Sequence, residues 1–203
     1  MDAMKVSEIF ESLQGEGPLM GRPMLFIRMA GCNLSCEWCD TKYAWEGGNA
    51  MDTGQLVDII SSSELEYVCW TGGEPLLQAD EIIKVIKRTM HKRHCLETNG
   101  TMPIPYGHFE HVVASPKDLC EDPPVNADFY KFVLDGDASE FEDVDNYAKD
   151  HSIEREKVFI QPKCSESYDA LEAGRRFWEL CVKYGFSLSP RLHIIYFGSK
   201  RGV

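Results

Sequence analysis

No apolar run in the 203-residue sequence approaches the roughly 18 residues that cross a bilayer. The opening MDAMKVSEIF lacks the basic-then-apolar order of a secretion signal. A soluble, cytoplasmic protein with no membrane partner is therefore expected. Positive charge is scarce as well: 21 Lys and Arg stand against 33 Asp and Glu, a formal net charge of -12. Binding along a phosphate backbone needs clustered cations that release counterions, so nucleic acid is not expected as a direct partner. Internal repeats, low-complexity tracts and long Pro/Gly/Ser linkers are missing too. Residues 1–203 read as a single domain around one core.

What is present is a recurring unit: a short apolar run, a polar or glycine-containing turn, and often a helical pattern. Strands are expected at Met24–Met29, Tyr67–Trp70, His94–Glu97, His111–Ala114, Phe129–Leu134, Lys157–Ile160 and Leu192–Tyr196. Ala79–His94 sets Ile82, Ile83, Ile86 and Met90 on one helical face, and Ser167–Tyr184 does so with Ala170, Phe177, Cys181 and Tyr184. Asp52–Ser61 and Ala138–Lys149 are weaker helices, the second strongly acidic and read as a solvated face. Alternating strands and helices imply an α/β fold with parallel strands and right-handed crossovers. The chain is shorter than the ~250 residues of a complete eight-fold barrel. A partial, open TIM-like barrel of about six parallel strands fits better, with ligands beyond the carboxyl ends of the strands.

Eight cysteines in a reducing compartment suit metal or redox chemistry better than disulfides. Cys32, Cys36 and Cys39 follow the first of these strands in GCNLSCEWCD, a CxxxCxxC spacing. A cubane cluster of four irons normally takes four thiolates, so three close ligands leave one iron open. A structural zinc site is the competing reading, but zinc takes a closed set of four, and no CxxC or HxxxH partner occurs elsewhere. Three unrelated core cysteines are the other alternative. Cys69, Cys95 and Cys181 fall on faces expected to be buried and inert, and Cys120 and Cys164 make no second cluster spacing.

This spacing after a first strand, with Trp38 before the last cysteine, resembles the signature of the radical S-adenosylmethionine superfamily. The resemblance implies a 4Fe-4S cluster whose open iron is chelated by S-adenosylmethionine. One-electron cleavage of the sulfonium then gives a 5'-deoxyadenosyl radical. Thr71-Gly72-Gly73-Glu74-Pro75 ends a second strand, where glycines bare the backbone to a close ligand. The resemblance makes Gly73 and Glu74 the receivers of the cofactor's amino group and Glu97 the acceptor of ribose hydroxyls. It adds Ser115, Pro116 and Lys117 from one strand end, and Gln161, Pro162, Lys163 and Cys164 from another.

The segment Glu11-Ser12-Leu13-Gln14-Gly15-Glu16-Gly17, with Gly21-Arg22-Pro23 and Arg28, closely resembles the 7-carboxy-7-deazaguanine synthase family over Val6 to His193. Members convert 6-carboxytetrahydropterin to 7-carboxy-7-deazaguanine by radical ring contraction, losing ammonia and regenerating S-adenosylmethionine, on the deazapurine pathway toward queuosine and archaeosine. They are homodimers and draw electrons from an external one-electron reductant such as flavodoxin or ferredoxin. Glu16 suits the guanidine-like edge of a pterin, and Arg28 offers a planar fork for its carboxylate. By resemblance, Leu13, Gln14, Gly15, Asp40, Thr71 and Asn99 also face the substrate, as do His193 and Val203. His193 joins Glu16 and Arg28 as a catalytic candidate, and the Thr41 hydroxyl is matched to a magnesium ligand. Some members end in a tail whose terminal carboxylate meets the substrate; here the chain runs on through Phe197 to Val203.

Two other activities share part of this pattern. An activating enzyme that makes a glycyl radical on a partner protein would need the cysteines and GGE but not QGEG with Arg28. An iron-sulfur electron carrier would need four ligands per cluster and no cofactor pocket.

Overall fold

The computed structural model describes residues 3–164 and 166–203. The chain opens with an antiparallel pair, β1 (Met4–Leu13) and β2 (Pro23–Met29), and a three-residue strand, β3 (Asn49–Met51), pairs with β1 on the outside. From β2 onward the pairing is parallel, through β4 (Tyr67–Gly72), β5 (Arg93–Thr98), β6 (His111–Ala114), β7 (Phe129–Leu134), β8 (Val158–Pro162) and β9 (Ser187–Leu188). The order β3-β1-β2-β4-β5-β6-β7-β8-β9 is a nine-stranded sheet that does not close on itself. The open α/β architecture is as expected from the sequence. The antiparallel edge is an addition, because MKVSEIFESL mixes polar and apolar residues with no regular period and forms no continuous apolar run.

The helices are α1 (Thr53–Ser62), α2 (Ala79–Ile86), α3 (Ala138–Asp150), α4 (Ser167–Tyr184) and α5 (Leu192–Phe197). Asp52 with Gln55, and Asp137 with Glu140, form capping boxes that fix where α1 and α3 start. Gly185, at φ 73, lets Cys181 O accept from both Gly185 N–H and Phe186 N–H and stops α4. Two expectations need correction. The helix at Ala79 ends at Ile86 rather than His94, because the chain turns at Thr89 to enter β5, and Met90 is left 78% exposed. The run Leu192–Tyr196 is helical: a short apolar run has no periodicity that separates strand from helix. Leu192 N–H donates to Gly15 O, and the last strand lies earlier, at Ser187–Leu188.

Side chains alternate across the parallel strands, and that alternation places the site. Leu25, Ile27, Val68, Trp70 and Leu96 face outward into a core with α1 and α2; Tyr130, Phe132, Val158 and Ile160 do the same against α3 and α4. The inner face is apolar toward the amino ends, where Met24, Phe26, Tyr67, Cys69 and Cys95 pack together. Two residues further along β2, β4 and β5 stand Arg28, Thr71 and Glu97, and β6 to β8 add Ser115, Lys131 and Gln161 to the same cleft. The inner face thus has an apolar floor and a polar rim.

Candidate active site

That rim surrounds a cleft of about 780 Å³. The loop after β2 brings Cys32, Cys36 and Cys39 to its wall as free, half-buried thiols. Leu34 N–H donates to Cys32 Sγ and Thr41 N–H to Cys39 Sγ, each at 3.4 Å. Three free sulfurs on one wall, two of them met by backbone N–H donors, form a donor set that fits three irons of a cubane cluster, and burial raises the Cys32 thiol until a metal takes its proton's place. Cys164 also faces the cleft, but its Sγ is turned to Pro162 O at 3.5 Å. Cys69, Cys95 and Cys181 are buried, and burial pushes the Cys95 thiol up to about 12 and that of Cys181 up to about 11.

The cysteine loop rests on the end of β4. Gly73 N–H donates to Met29 O at 3.1 Å and Glu74 N–H to Gly31 O at 2.8 Å. A Cβ on Gly73 would run into Gly31 O and the Cys32 side chain, so only glycine permits this approach. The Glu74 carboxylate is not a free acceptor as the sequence suggested. It is fully buried and accepts from Leu76 N–H (3.0 Å), Thr98 Oγ1–H (2.8 Å) and Asn99 N–H (2.7 Å), tying the glycine turn to the end of β5. Pro162 is likewise buried, paired with Leu134 in the β7–β8 ladder. Gly73, Glu97, Ser115, Lys117, Gln161 and Lys163 do line the cleft, whereas Pro116 only spaces Ser115 from Lys117. Lys117 Nζ donates to Ser115 Oγ at 2.6 Å, and Ser189 Oγ–H to Gln161 Oε1 at 3.1 Å.

Four largely buried charges, Glu16, Glu97, Lys131 and Arg191, form one network. Lys131 Nζ lies 2.7 Å from both Glu16 Oε2 and Glu97 Oε2, and Arg191 Nε lies 3.1 Å from Glu16 Oε1. Arg191 also pairs with Asp40 and donates to Cys164 O. Burial alone would raise the Glu16 carboxyl, but Lys131 and Arg191 outweigh it and hold Glu16 far below the usual carboxylate range. Glu97, buried and next to Glu16, is raised instead, with Lys131 offsetting part of the shift. Gln14 Nε2–H donates to Glu97 Oε1 at 3.3 Å. His193 Nε2 stands 3.7 Å from Glu16 Oε1, and burial keeps that imidazole below its ordinary pKa. The His193 ring packs on Gly15, where a Cβ would collide with it.

A second group sits on the same cleft. Arg28 Nε–H donates to Glu8 Oε1 at 2.6 Å, and Tyr43 OH donates to the same oxygen at 2.7 Å. Leu13, Asp40, Thr41, Thr71, Asn99 and Val203 complete the wall, with Thr41 Oγ1–H on Asp40 Oδ1 at 2.6 Å. Of the residues the sequence did not flag, Lys131 left the clearest signal: a lysine inside the buried strand FYKFVL needs a partner. Arg191, Glu8 and Tyr43 carry no local signature. Their roles arise only from the pairing of distant segments.

An open parallel α/β sheet with three convergent thiols at its carboxyl end defines the class: the family profile described as the Radical SAM superfamily matches residues 26–119. The chain is 35% identical to the 7-carboxy-7-deazaguanine synthase of Hyperthermus butylicus over 95% of this chain and 92% of that one. It is 33% identical to that of Pyrobaculum aerophilum over 98% and 97%. The chain belongs to the 7-carboxy-7-deazaguanine synthase family. Membership implies a 4Fe-4S cluster and S-adenosylmethionine. A crystal structure of QueE from Escherichia coli matches the fold with a TM-score of 0.73 at 24% identity, covering 92% of each chain.

Proposed function

We propose that this chain converts 6-carboxytetrahydropterin to 7-carboxy-7-deazaguanine by radical ring contraction with loss of ammonia. The observation that carries the proposal is Glu16, a carboxylate held anionic in the same cleft as three free thiols and Arg28. An anionic carboxylate accepts two N–H groups from a guanidine-like ring edge, and charge-assisted bonds of this kind are the strong ones. Lys131 and Arg191 keep Glu16 charged before substrate arrives, so no proton has to leave on binding. Arg28, fixed by Glu8 at its Nε, turns its other nitrogens to the substrate carboxylate. His193, neutral and stacked on Gly15, borders the ring beside Glu16.

Bound on Cys32, Cys36 and Cys39, a 4Fe-4S cluster with S-adenosylmethionine would supply one-electron cleavage of the sulfonium and the radical that abstracts a substrate hydrogen. Gly73, Glu97, Ser115, Lys117, Gln161, Lys163 and Cys164 are the wall available to the cofactor. Thr41 Oγ1 and Asp40 present hard oxygen donors to the cleft, a set suited to magnesium beside the substrate. Glu16, Asp40 and His193 also bring ligand atoms within 4.8 Å of one another, although Arg191 already bridges the two carboxylates. The apolar outer surface of α4 and α5, with Trp178 (66% exposed), Val182 and Tyr196, is a suitable face for a homodimer. An external one-electron reductant completes the system, in the cytoplasm.

The reading is tested by supplying the anaerobic, cluster-loaded protein with 6-carboxytetrahydropterin, S-adenosylmethionine and a reductant. Formation of the deazaguanine, and its loss on Glu16→Ala and Arg28→Ala, supports it. A glycyl radical transferred to a partner protein, with no change in the pterin, would favour an activating enzyme instead.

A further inference from the structure

The pairing around Glu8 involves a second arginine that comes from the far end of the chain. Arg201 lies with its guanidinium carbon 3.6 Å from the Tyr43 ring centroid, and its Nη2 is 3.8 Å from Glu8 Oε2. The Arg28 guanidinium lies 6.0 Å from the same ring centroid. Glu8 and Tyr43 therefore serve two guanidinium groups, both on the cleft wall. The segment that carries Arg201 is turned onto the cleft by Gly198, at φ 61, where α5 ends. Gly198 to Val203 all line the cleft.

Charge shows what this arrangement lacks. Glu8 contributes one negative charge and the two arginines two positive charges, so the group faces the cleft with one positive charge in excess. Among the described residues Arg28 bonds to Glu8 through Nε, which leaves its terminal nitrogens for an incoming group. Arg201 is 56% exposed, and its contact with Glu8 is longer than a hydrogen bond, so its fork is not used up either. Two planar forks that share one carboxylate and one aromatic ring suit a single further carboxylate, which would bring the group to neutrality.

We propose that Arg201 is a second ligand for the substrate carboxylate, acting with Arg28 and held in place by Glu8 and Tyr43. The inference rests on the functional reading above and assigns a specificity role to the C-terminal segment: selecting a pterin that carries a carboxylate over one that does not. Arg201 is a substrate contact, and Glu8 and Tyr43 are positioning residues.

The test compares two probes on the cluster-loaded full chain under anaerobic conditions: 6-carboxytetrahydropterin and tetrahydropterin without the carboxylate. Arg201→Ala is expected to weaken binding of the carboxylated pterin by roughly 10- to 100-fold, the range for losing a hydrogen-bonded charge partner. Binding of the unsubstituted pterin should move by less than about 2-fold, within the effect of a neutral surface change. Arg201→Lys, which keeps the charge without the fork, should fall between. Equal weakening of both probes would mean that Arg201 only packs the tail and would overturn the inference, as would no weakening of either. Those outcomes leave the functional reading standing if the unmodified chain still makes product. Failure of the unmodified chain to bind either pterin would overturn the reading and the inference together.

Discussion

Lys131 Nζ stands 2.7 Å from Glu16 Oε2 with both side chains largely out of solvent, so a carboxylate proposed to meet the substrate is held by a cation from the centre of the sheet. The same ammonium holds Glu97, on the wall proposed for the cofactor, at the same distance. One lysine therefore sets the position and charge of a group on each side of the cleft. Replacing Lys131 by Met strands two buried carboxylates, and breaking a buried pair from one side typically costs about 3–5 kcal/mol. Denaturant unfolding of Lys131→Met should show a loss of that order, and Glu16→Gln in the same chain should restore part of it. Additive losses would mean that the two residues are not coupled.

Gly73 is where the cysteine loop touches the end of β4. Gly73→Ala puts a methyl group into Gly31 O and the Cys32 side chain, and backbone on one side cannot yield cheaply. The expected result is folded protein, by circular dichroism, with most of its cluster absorbance missing after reconstitution. Full cluster content in that variant would show that the loop has room to move.

Cys32, Cys36 and Cys39 differ from Cys120 in position alone: the three line the cleft, whereas Cys120 is exposed outside it. Replacing any one of the three by Ala should abolish a stable 4Fe-4S cluster, read as iron and sulfide per chain. Cys120→Ala should keep it. Retention of a full cluster in Cys36→Ala would mean that another residue is the third ligand.

His94 gives the fold an acid-sensitive point away from the cleft. Trp70 Nε1–H donates to His94 Nδ1 at 3.1 Å, and Nε2 faces Thr89 O at 3.2 Å, so the ring is buried in its neutral form. Burial lowers its pKa in the folded state below the ordinary 6.5. The unfolded chain then binds more protons as pH falls below about 6.5, and stability is lost in that direction, by at most about 1.4 kcal/mol per pH unit for one group. His94→Gln should flatten the fall in denaturation midpoint between about pH 6.5 and 5. An unchanged slope would assign the acid sensitivity to other groups.

The sequence carried the architecture because buried parallel strands read as apolar runs: His111–Ala114, Phe129–Leu134 and the helix Ser167–Tyr184 lie where the pattern put them. It was silent on β1, whose polar and apolar residues keep no regular period and whose register with β2 shifts between Val6 and Glu8, and it misread Leu192–Tyr196. The cysteine loop and Gly73, read from spacing and glycine placement, and Glu16 and Arg28, read from the family resemblance, all reach the one cleft. Glu74 misled, since a carboxylate beside two glycines looks available until its three donors are seen. Arg191, Glu8 and Arg201 act through partners far away in the chain that no local pattern announces, and Lys131 shows its need of a partner, as a lysine in a buried strand, without showing which.

The most direct test of the account is the product itself. The reduced, cluster-loaded chain, given 6-carboxytetrahydropterin and S-adenosylmethionine without oxygen, should release 7-carboxy-7-deazaguanine and ammonia in equal amounts, many times over for each S-adenosylmethionine lost. Accumulation of 5'-deoxyadenosine while the pterin remains unconsumed would contradict it.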